Sequence, residues 1–441
     1  MNVRQTALSV LTRCDRDGSY SNLALDAAIR AGNFSPADRG LLTALVYGVI
    51  ERRVTLDYLI DRLSDRPADG IDPQVRGILR LGLYQLRYLD RIPPHAAINE
   101  SVALATRKTA GFVNALLRSY QRRSGELTLP EKEDGLIPYL SVRYSFPEPL
   151  CARFVDIFGE ERAERVLAAF ATQPPLTVRV NTLRTDRDAL IRTLADGGAA
   201  PSHISPDGVT LDSAESLRRG VEEGLFFVQD AASQLCVRTL DAKPGQTVID
   251  ACCCPGSKSF GAAIDMKNEG RLLSFDLHRN KLSLVEAGAK KLGISILETD
   301  ARDSRTFDPA LVGIADRVLC DVPCSGFGVI AKKPEIRYKD PADSAALPDI
   351  QLAILENNCR YVKDGGILVY STCTLLPEEN EGNIARFLAA HPEFSPKPFA
   401  HGDIKAANGM LTLTPDEHGT DGFFIAKLRK GRARGCARGN F

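Results

Sequence analysis

The sequence has no excess charge of either sign: 56 Lys and Arg balance 56 Asp and Glu over 441 residues. That balance excludes a global polycation and an acidic solvating chain, and 44% hydrophobic residues argue against whole-chain disorder. A nucleic-acid footprint must therefore be local. Long apolar runs are also missing. The first thirty residues contain Arg4, Arg13, Asp15, Asp17 and Asp26, which a secretory signal would not tolerate. No later stretch reaches the ~18 uncharged apolar residues that span a bilayer. The sequence thus predicts a soluble, cytoplasmic protein with no membrane partner. Paired cysteine spacing is absent too. Eleven cysteines are an odd number without a secretory signal, so no disulfide framework is expected. Cys252, Cys253 and Cys254 are contiguous and lack the C-x2-C pairs of zinc sites, so no metal is expected.

What is present divides into parts of different texture, and the length allows roughly three domains of 100–200 residues. Residues 1–130 read as an all-α domain, with apolar residues at three- and four-residue spacing in LLTALVYGVI, LDYLIDRL and VRGILRLGLYQLRYL. Over residues 1–135, 17 of the 19 basic side chains are Arg, the cation suited to phosphate and base contacts. The plainer reading is a solvated helical surface. SGELTLPEKEDG marks a boundary. Residues 137–225 then read as a small α+β subdomain, with LTVRVNTLRT as a strand and DRDALIRTLADGG as a helix closed by glycine. Residues 226–430 form the C-terminal α/β domain. There the apolar runs TVID, RLLSFD, SILETD, RVLCD and GILVYSTC alternate with helical lengths, as in a mostly parallel sheet wrapped by helices. Residues 431–441 complete a basic end, KLRKGRARGCARGNF, with six Lys or Arg and no acid, read as a cationic tail able to neutralise phosphates.

Such sheets bind ligands at the carboxyl ends of their strands. The first four runs end there in Asp250, Asp276, Asp300 and Asp321. The turn after the first, DACCCPGSKSF, presents backbone N–H groups at a helix start. It lacks the G-x-G-x-x-G of dinucleotide sites, and it is not a Walker loop, because Ala251 stands at the first glycine and Lys258 follows Ser257. A nucleoside-bearing cofactor without a pyrophosphate fits. Asp276 can accept both ribose hydroxyls and Asp300 an adenine amino group, as in S-adenosylmethionine enzymes. Singly, each acid is equally a helix cap or turn former.

The fourth and fifth strands run into DVPCSG and STCTLLPEEN, which bring Cys324 and Cys373 to one pocket. Most cysteines are small buried hydrophobes, the reading given to Cys14, Cys151, Cys236 and Cys359. These two instead lie in polar strand-exit loops. A thiol and a transferable methyl make sense together if the acceptor is C5 of a pyrimidine. Thiolate addition at C6 makes C5 nucleophilic, and elimination later frees the thiol. A thiol of pKa about 8.5 is mostly protonated at neutral pH, so the pocket must assist it. Addition builds electron density toward N3, where Asp321, if burial kept it protonated, could donate. Spacing alone does not choose between the thiols.

At these residues the sequence resembles the NOL1/NOP2/Sun family of RNA cytosine-5 methyltransferases. DRVLCDVPCSG (316–326), DACCCPGSKS (250–259), YSTCTLLPEENE (370–381), FFVQDAASQL (226–235) and GFFIAKL (422–428) carry the likeness. IPPHAAINESV (92–102) and FVNALLR (112–118) resemble the NusB-like RNA-binding domain of its bacterial ribosomal-RNA members. The resemblance implies a NusB-like all-α domain, a small α+β subdomain and a Rossmann-like methyltransferase domain. It implies Cys373 as the nucleophile and Cys324 as the residue that assists product release. It assigns cofactor contacts to Cys252, Cys253, Cys254, Pro255, Gly256, Ser257 and Lys258, to Asp276 and Asp300, and to Asp321 near methyl and base. Cys253 and Cys254 depart from two alanines of the family loop, and Ser257 from a glycine that allows close backbone approach.

The implied reaction is S-adenosylmethionine-dependent methylation of C5 of one cytosine in 16S rRNA, naked or in an early assembly intermediate, by a monomer. Unstacked single-stranded RNA would spare the cost of extracting the base. The same chemistry on tRNA is the near rival. A Cys–His hydrolase would need a histidine such as His278 beside a thiol. A non-catalytic RNA-binding assembly factor would need neither the thiols nor the acids.

Overall fold

The structure, a computed structural model, describes residues 2–17, 20–212 and 217–431. The chain forms two compact units, one of residues 1–172 with 330–341 and one of residues 173–329 with 342–441.

The first unit is helical. Seven α-helices run Val3–Asp17, Ser21–Ala31, Pro36–Glu51, Arg53–Leu63, Pro73–Tyr88, Pro94–Val102 and Ala110–Arg123. Three begin with proline, which loses nothing where the N–H has no intrahelical partner. Ser35 and Asp72 cap two of these starts, accepting from the N–H of Asp38 and from those of Gln74 and Val75. Each such cap contributes about 1 kcal/mol. The apolar stripes meet in one cluster that includes Leu42, Leu45, Val46, Leu56, Leu59, Ile78, Leu79 and Leu117. Gly48 lets two helices approach, since a Cβ there would lie 1.9 Å from the Tyr84 ring. Helices Leu136–Tyr144, Glu148–Phe158 and Glu160–Phe170 belong to this unit as well.

Its last piece comes from far along the chain. In Ile330–Pro341, the Glu335 carboxylate accepts from the Ser21 N–H at 3.3 Å and hydroxyl at 2.7 Å. Arg337, fully buried, donates to the carbonyls of Glu51 (2.8 Å) and Ser145 (3.2 Å) and lies 4.4 Å from the Phe146 ring centroid. Tyr338 donates to the Ile50 carbonyl, and Arg53 stacks 3.5 Å from its ring centroid.

The second unit has two sheets with separate cores. In the smaller, β1 (Leu176–Val180) lies between β3 (Gly208–Leu211) and β4 (Phe226–Val228), with β2 (Ala200–Pro201) beyond β3, all antiparallel. Val178, Val180, Val209, Leu211 and Phe226 cover Leu190 and Leu194 of the adjoining helical segment. Asp186 caps the helix Arg187–Thr193, and Gly198, at φ +69°, ends the segment as the glycine pattern predicts.

In the larger sheet β5 (Thr247–Asp250), β6 (Arg271–Asp276), β7 (Leu297–Ala301), β8 (Ala315–Asp321) and β9 (Val362–Thr372) are parallel, in the order β9-β8-β5-β6-β7. β10 (Phe394–Pro396), the small hairpin β11 (Phe399–His401) and β12 (Ile404–Ala406), β13 (Met410–Leu413) and β14 (Phe423–Lys430) follow, and β14 closes the sheet antiparallel to β9. Alternate side chains serve opposite faces. Val248, Leu272, Leu319 and Val369 face one core, while Ile249, Leu273, Val318, Leu368 and Tyr370 face the other. Burial on both faces is why these strands read as continuous apolar runs. Because β6 and β8 flank β5, the strand order reverses at β5. The crevice this leaves lies at the carboxyl ends of β5 and β8, where the two motif loops emerge.

The all-α, α+β and mostly parallel α/β textures are all present. One reading is corrected. Lys427, Arg429 and Lys430 are not tail but part of β14, with Lys427 buried, because the backbone of the first two completes the ladder to β9 and that of Lys430 pairs with Phe394 of β10. The rest of the cationic end, 432–441, lies outside the described residues. Among those described, no helix is long and apolar enough to cross a membrane.

Replacing Arg337 should destabilise the helical unit sharply, because truncation leaves two buried carbonyls without a donor and opens a cavity. Arg337→Ala is expected to cost about 3 kcal/mol by urea titration followed by far-UV circular dichroism. Lys333→Ala, exposed on the same segment, should stay within about 0.5 kcal/mol.

Candidate active site

The loop after β5 is braced from below by Asp250. This carboxylate is fully buried and accepts from the Ser259 hydroxyl at 2.6 Å and the Cys252 N–H at 3.4 Å. Ser259 in turn meets Ser274 on β6 at 3.0 Å. Burial pushes the Asp250 carboxyl up to about 7. Above it, the Cys253 N–H donates to the Phe275 carbonyl at 2.7 Å, and Gly256, at φ +110°, turns the chain into the helix Ser257–Asp265. A side chain on Gly256 would meet the Phe260 ring at 2.5 Å, so this position requires glycine. Ser257 does not have a positive φ, so serine in place of the family glycine costs no backbone strain there.

The three loop thiols are not activated. Burial, then the Asp276 charge, raises Cys254 to about 12; burial, then the Asp250 charge, raises Cys252 and Cys253. They shape the loop as small apolar groups.

The strand-end acids separate into different roles. Asp276 is partly exposed at the tip of β6, where its carboxylate accepts from the His278 N–H at 2.9 Å. Asp300, half-exposed on β7, pairs with Arg302 at 3.1 Å, and that guanidinium also holds Asp308 and lies 4.6 Å from the Phe275 ring centroid. Asp321 accepts from Lys258 Nζ at 2.6 Å and from the Ser371 hydroxyl at 2.7 Å. Its side chain is 24% exposed, so the burial that would keep it neutral is absent, and an ion pair stands where the sequence suggested an isolated acid. Burial acts to lower the Lys258 pKa, but the Asp321 charge and the hydrogen bond outweigh it and raise the ammonium above its ordinary value. The Lys258–Asp321 pair and Ser371 were not foreseen. The only signal was Lys258, three residues past a Pro-Gly turn aimed at the same crevice.

The two thiols converge. β8 and β9 are registered with Asp321 opposite Ser371, so Cys324 and Cys373 leave the sheet side by side, with sulfurs 3.1 Å apart. The Cys373 N–H points to the Cys324 sulfur at 3.3 Å, and the hydroxyls of the residues that follow, Ser325 and Thr374, meet at 2.7 Å. The pair is asymmetric. The hydrogen bond from Cys324 lowers Cys373, aided by the Lys258 charge and opposed by burial and Asp321. The same bond raises Cys324, reinforced by burial and by the charges of Cys373 and Glu379. The bond thus favours Cys373 over Cys324 as the sulfur that gives up a proton.

The rival Cys–His chemistry finds no such arrangement. His278 lies in the turn beyond β6, and Cys359 lies 3.9 Å from His391 but in the core, its thiol pushed by burial to about 12. Among the described residues, no group of three or more His, Cys, Asp or Glu could hold a metal.

The buried Asp250 gives the loop a pH signature. The folded state holds this proton up to about pH 7 and the unfolded chain releases it near the ordinary value of 3.8, so folding stability falls as pH rises between them. At 1.36 kcal/mol per pH unit, the loss reaches on the order of 4 kcal/mol. Asp250→Asn, which keeps an oxygen for Ser259, should flatten the stability profile between about pH 4 and pH 7 when denaturation is measured across that range.

Residues 237–429 match the family model of the 16S rRNA methyltransferases RsmB/F, residues 1–122 the NusB family, and residues 146–218 the ferredoxin-like domain of RsmF/B-like methyltransferases. A probable ribosomal RNA small subunit methyltransferase B of Bacillus subtilis (strain 168) is 38% identical, over 97% of this chain and 99% of its own. One of Synechocystis is also 38% identical, over 98% and 100%. Among solved structures, that of PH0851 is similar with a TM-score of 0.81 at 26% identity, over 98% of this chain and 99% of that one. A methyltransferase homolog from Pyrococcus horikoshii gives 0.58 at 29% identity, over 66% and 97%. The helical start is therefore NusB-like, the middle ferredoxin-like and the large sheet a Rossmann-like methyltransferase, and the chain belongs to the ribosomal RNA small subunit methyltransferase B family.

Proposed function

We propose that the protein methylates C5 of one cytosine in 16S rRNA through a covalent bond between Cys373 and C6 of the base. The observation that carries this is the thiol pair: two sulfurs 3.1 Å apart, whose mutual hydrogen bond lowers Cys373 and raises Cys324. A methyltransferase acting on oxygen or nitrogen needs no thiolate. Carbon 5 of cytosine does, because it is too weak a nucleophile until C6 is saturated.

The methyl donor is S-adenosylmethionine, which supplies an electrophilic methyl group when bound. Three features fit it: a loop where a Cβ on Gly256 has no room, a partly exposed acid at the tip of β6, and backbone N–H groups at a helix start. Cys252 to Lys258 would cradle it, Asp276 would take its ribose hydroxyls and Asp300 its adenine amino group. Asp321 sits between this cradle and the thiols through Lys258 and Ser371.

Cys373 adds to C6 and the ring's electrons move toward N3. There the Lys258–Asp321 pair can supply a proton, passed along its 2.6 Å hydrogen bond. C5, now an enamine carbon, takes the methyl. Transfer of the C5 proton to water, return of the N3 proton to the Lys258–Asp321 pair and departure of Cys373 as thiolate restore the ring, with Cys324 beside the departing sulfur to assist release. The base must be unstacked to reach both thiols, which favours single-stranded rRNA in naked or early-assembly form.

The test is transfer of labelled methyl to unmodified small-subunit rRNA, with the product mapped as 5-methylcytosine. Wild type should mark one cytosine. Cys373→Ala should fall at least about a thousandfold, and Cys324→Ala should accumulate a covalent RNA adduct. Methylation by Cys373→Ala would overturn the nucleophile, and marking of tRNA in preference to rRNA would overturn the substrate.

A further inference from the structure

The segment that follows Cys373, LLPEEN, turns back beneath both thiols, and two consecutive residues of it serve one thiol each. Glu379 is fully buried. Its Oε2 accepts from the Ser325 N–H at 3.0 Å and from Gln351 Nε2 at 2.7 Å, and Gln351 Nε2 also donates to the Pro323 carbonyl at 3.0 Å. The peptide groups before and after Cys324 are thus held by one Glu–Gln pair. Asn380, equally buried, bonds the residues on either side of the other cysteine. Its Oδ1 accepts from the Thr372 hydroxyl at 2.5 Å and its Nδ2 donates to the Thr374 carbonyl at 3.0 Å, bracketing Cys373. Both clamps are fixed from behind. The Tyr370 hydroxyl donates to the Glu379 carbonyl at 2.5 Å, while Gln351 Oε1 accepts from Tyr370 at 3.2 Å and from Asn383 at 3.0 Å.

One atom in this network is unexplained by clamping. Glu379 Oε1 is buried with no hydrogen-bond partner. A glutamine would make the same two bonds through its oxygen without a desolvated charge, so a purely structural clamp gains nothing from the carboxylate. What the charge can do is act on the thiol between the two peptide groups it helps to hold, Cys324, and on the Tyr370 hydroxyl.

We propose that Glu379 and Asn380 are positioning residues that set the two thiols against each other, and that the charge of Glu379 keeps the shared proton on Cys324 so that Cys373 is the sulfur left free to attack. The proposal rests on the reading of Cys373 as nucleophile. Its electrostatic half agrees with the upward push on Cys324, in which the Glu379 charge acts after the Cys373 hydrogen bond, burial and the Cys373 charge. No proton leaves the pair; the carboxylate only biases which sulfur holds it.

The experiment is alkylation by iodoacetamide across pH, with the labelled cysteine identified by peptide mass spectrometry, beside steady-state methylation of rRNA. In wild type, labelling of the pair should fall on Cys373. Glu379→Gln keeps both hydrogen bonds and removes the charge. It should divide the label between Cys373 and Cys324 and lower kcat about tenfold with little change in KM. Glu379→Asp keeps the charge but shortens the reach, so it should lose kcat while the label stays on Cys373. A Glu379→Gln protein that labels Cys373 alone overturns the proposal, and the Glu379→Asp labelling decides the same point if the Gln variant fails to fold. Wild type labelled on Cys324 would instead overturn the nucleophile assignment on which the proposal rests.

Discussion

Asp321 faces Ser371 because β8 and β9 run parallel in one unbroken register from Arg317 to Asp321, and the site depends on that alignment. Strand side chains alternate faces, so a slip of one residue would turn Asp321 away from Ser371 and Lys258 and would separate the cysteines that leave the two strands. The register is held by burial on both faces: Val318, Leu368 and Tyr370 fill one core, and Leu319 and Val369 the other. Hydrophobic packing of strands that carry no chemistry fixes the distance between two sulfurs that do.

Within that frame the chemistry is decided by where charge is allowed to sit. Three cysteines of the loop after β5 lie close to the strand-end acids, and burial together with those charges keeps them protonated and inert. Cys373 escapes this because it alone has both a thiol donor at 3.1 Å and the Lys258 ammonium nearby. Lys258 is in turn held by Asp321, so the cation that favours the thiolate is supplied by the loop that would cradle the methyl donor. The loop after β5 and the end of β8 are joined there by one ion pair rather than by a chain of residues.

Much of this was legible from the residues. The runs TVID, RLLSFD and RVLCD end on the acids that the structure puts at strand tips, because parallel strands buried on both faces must be apolar until they emerge. The convergence of Cys324 and Cys373 followed from two strands sharing one edge. What could not be read depends on distances across strands. The pairing of Lys258 with Asp321 spans 63 residues and carries no spacing signature, so the sequence points only to an acid that burial could keep protonated. Lys427 and Lys430 looked like a tail because composition was weighed there and the apolar alternation of FFIAKL was not carried through to its end. Buried Arg337 looked like one more surface cation among many.

The segment Ile330–Pro341 has a consequence for how the molecule is made. Helices laid down in the first 170 residues lack the carboxylate that caps Ser21, the guanidinium that satisfies two buried carbonyls, and the ring under Arg53 until a stretch encoded 160 residues later arrives. On the ribosome, the helical unit waits incomplete while four of the eight strands of the large sheet are synthesised. The chain passes between the two units three times, after residues 172, 329 and 341. A gene cut at the obvious linker near residue 130 would therefore not yield two independent proteins, since the second fragment would carry away residues 131–172 and 330–341 of the helical unit.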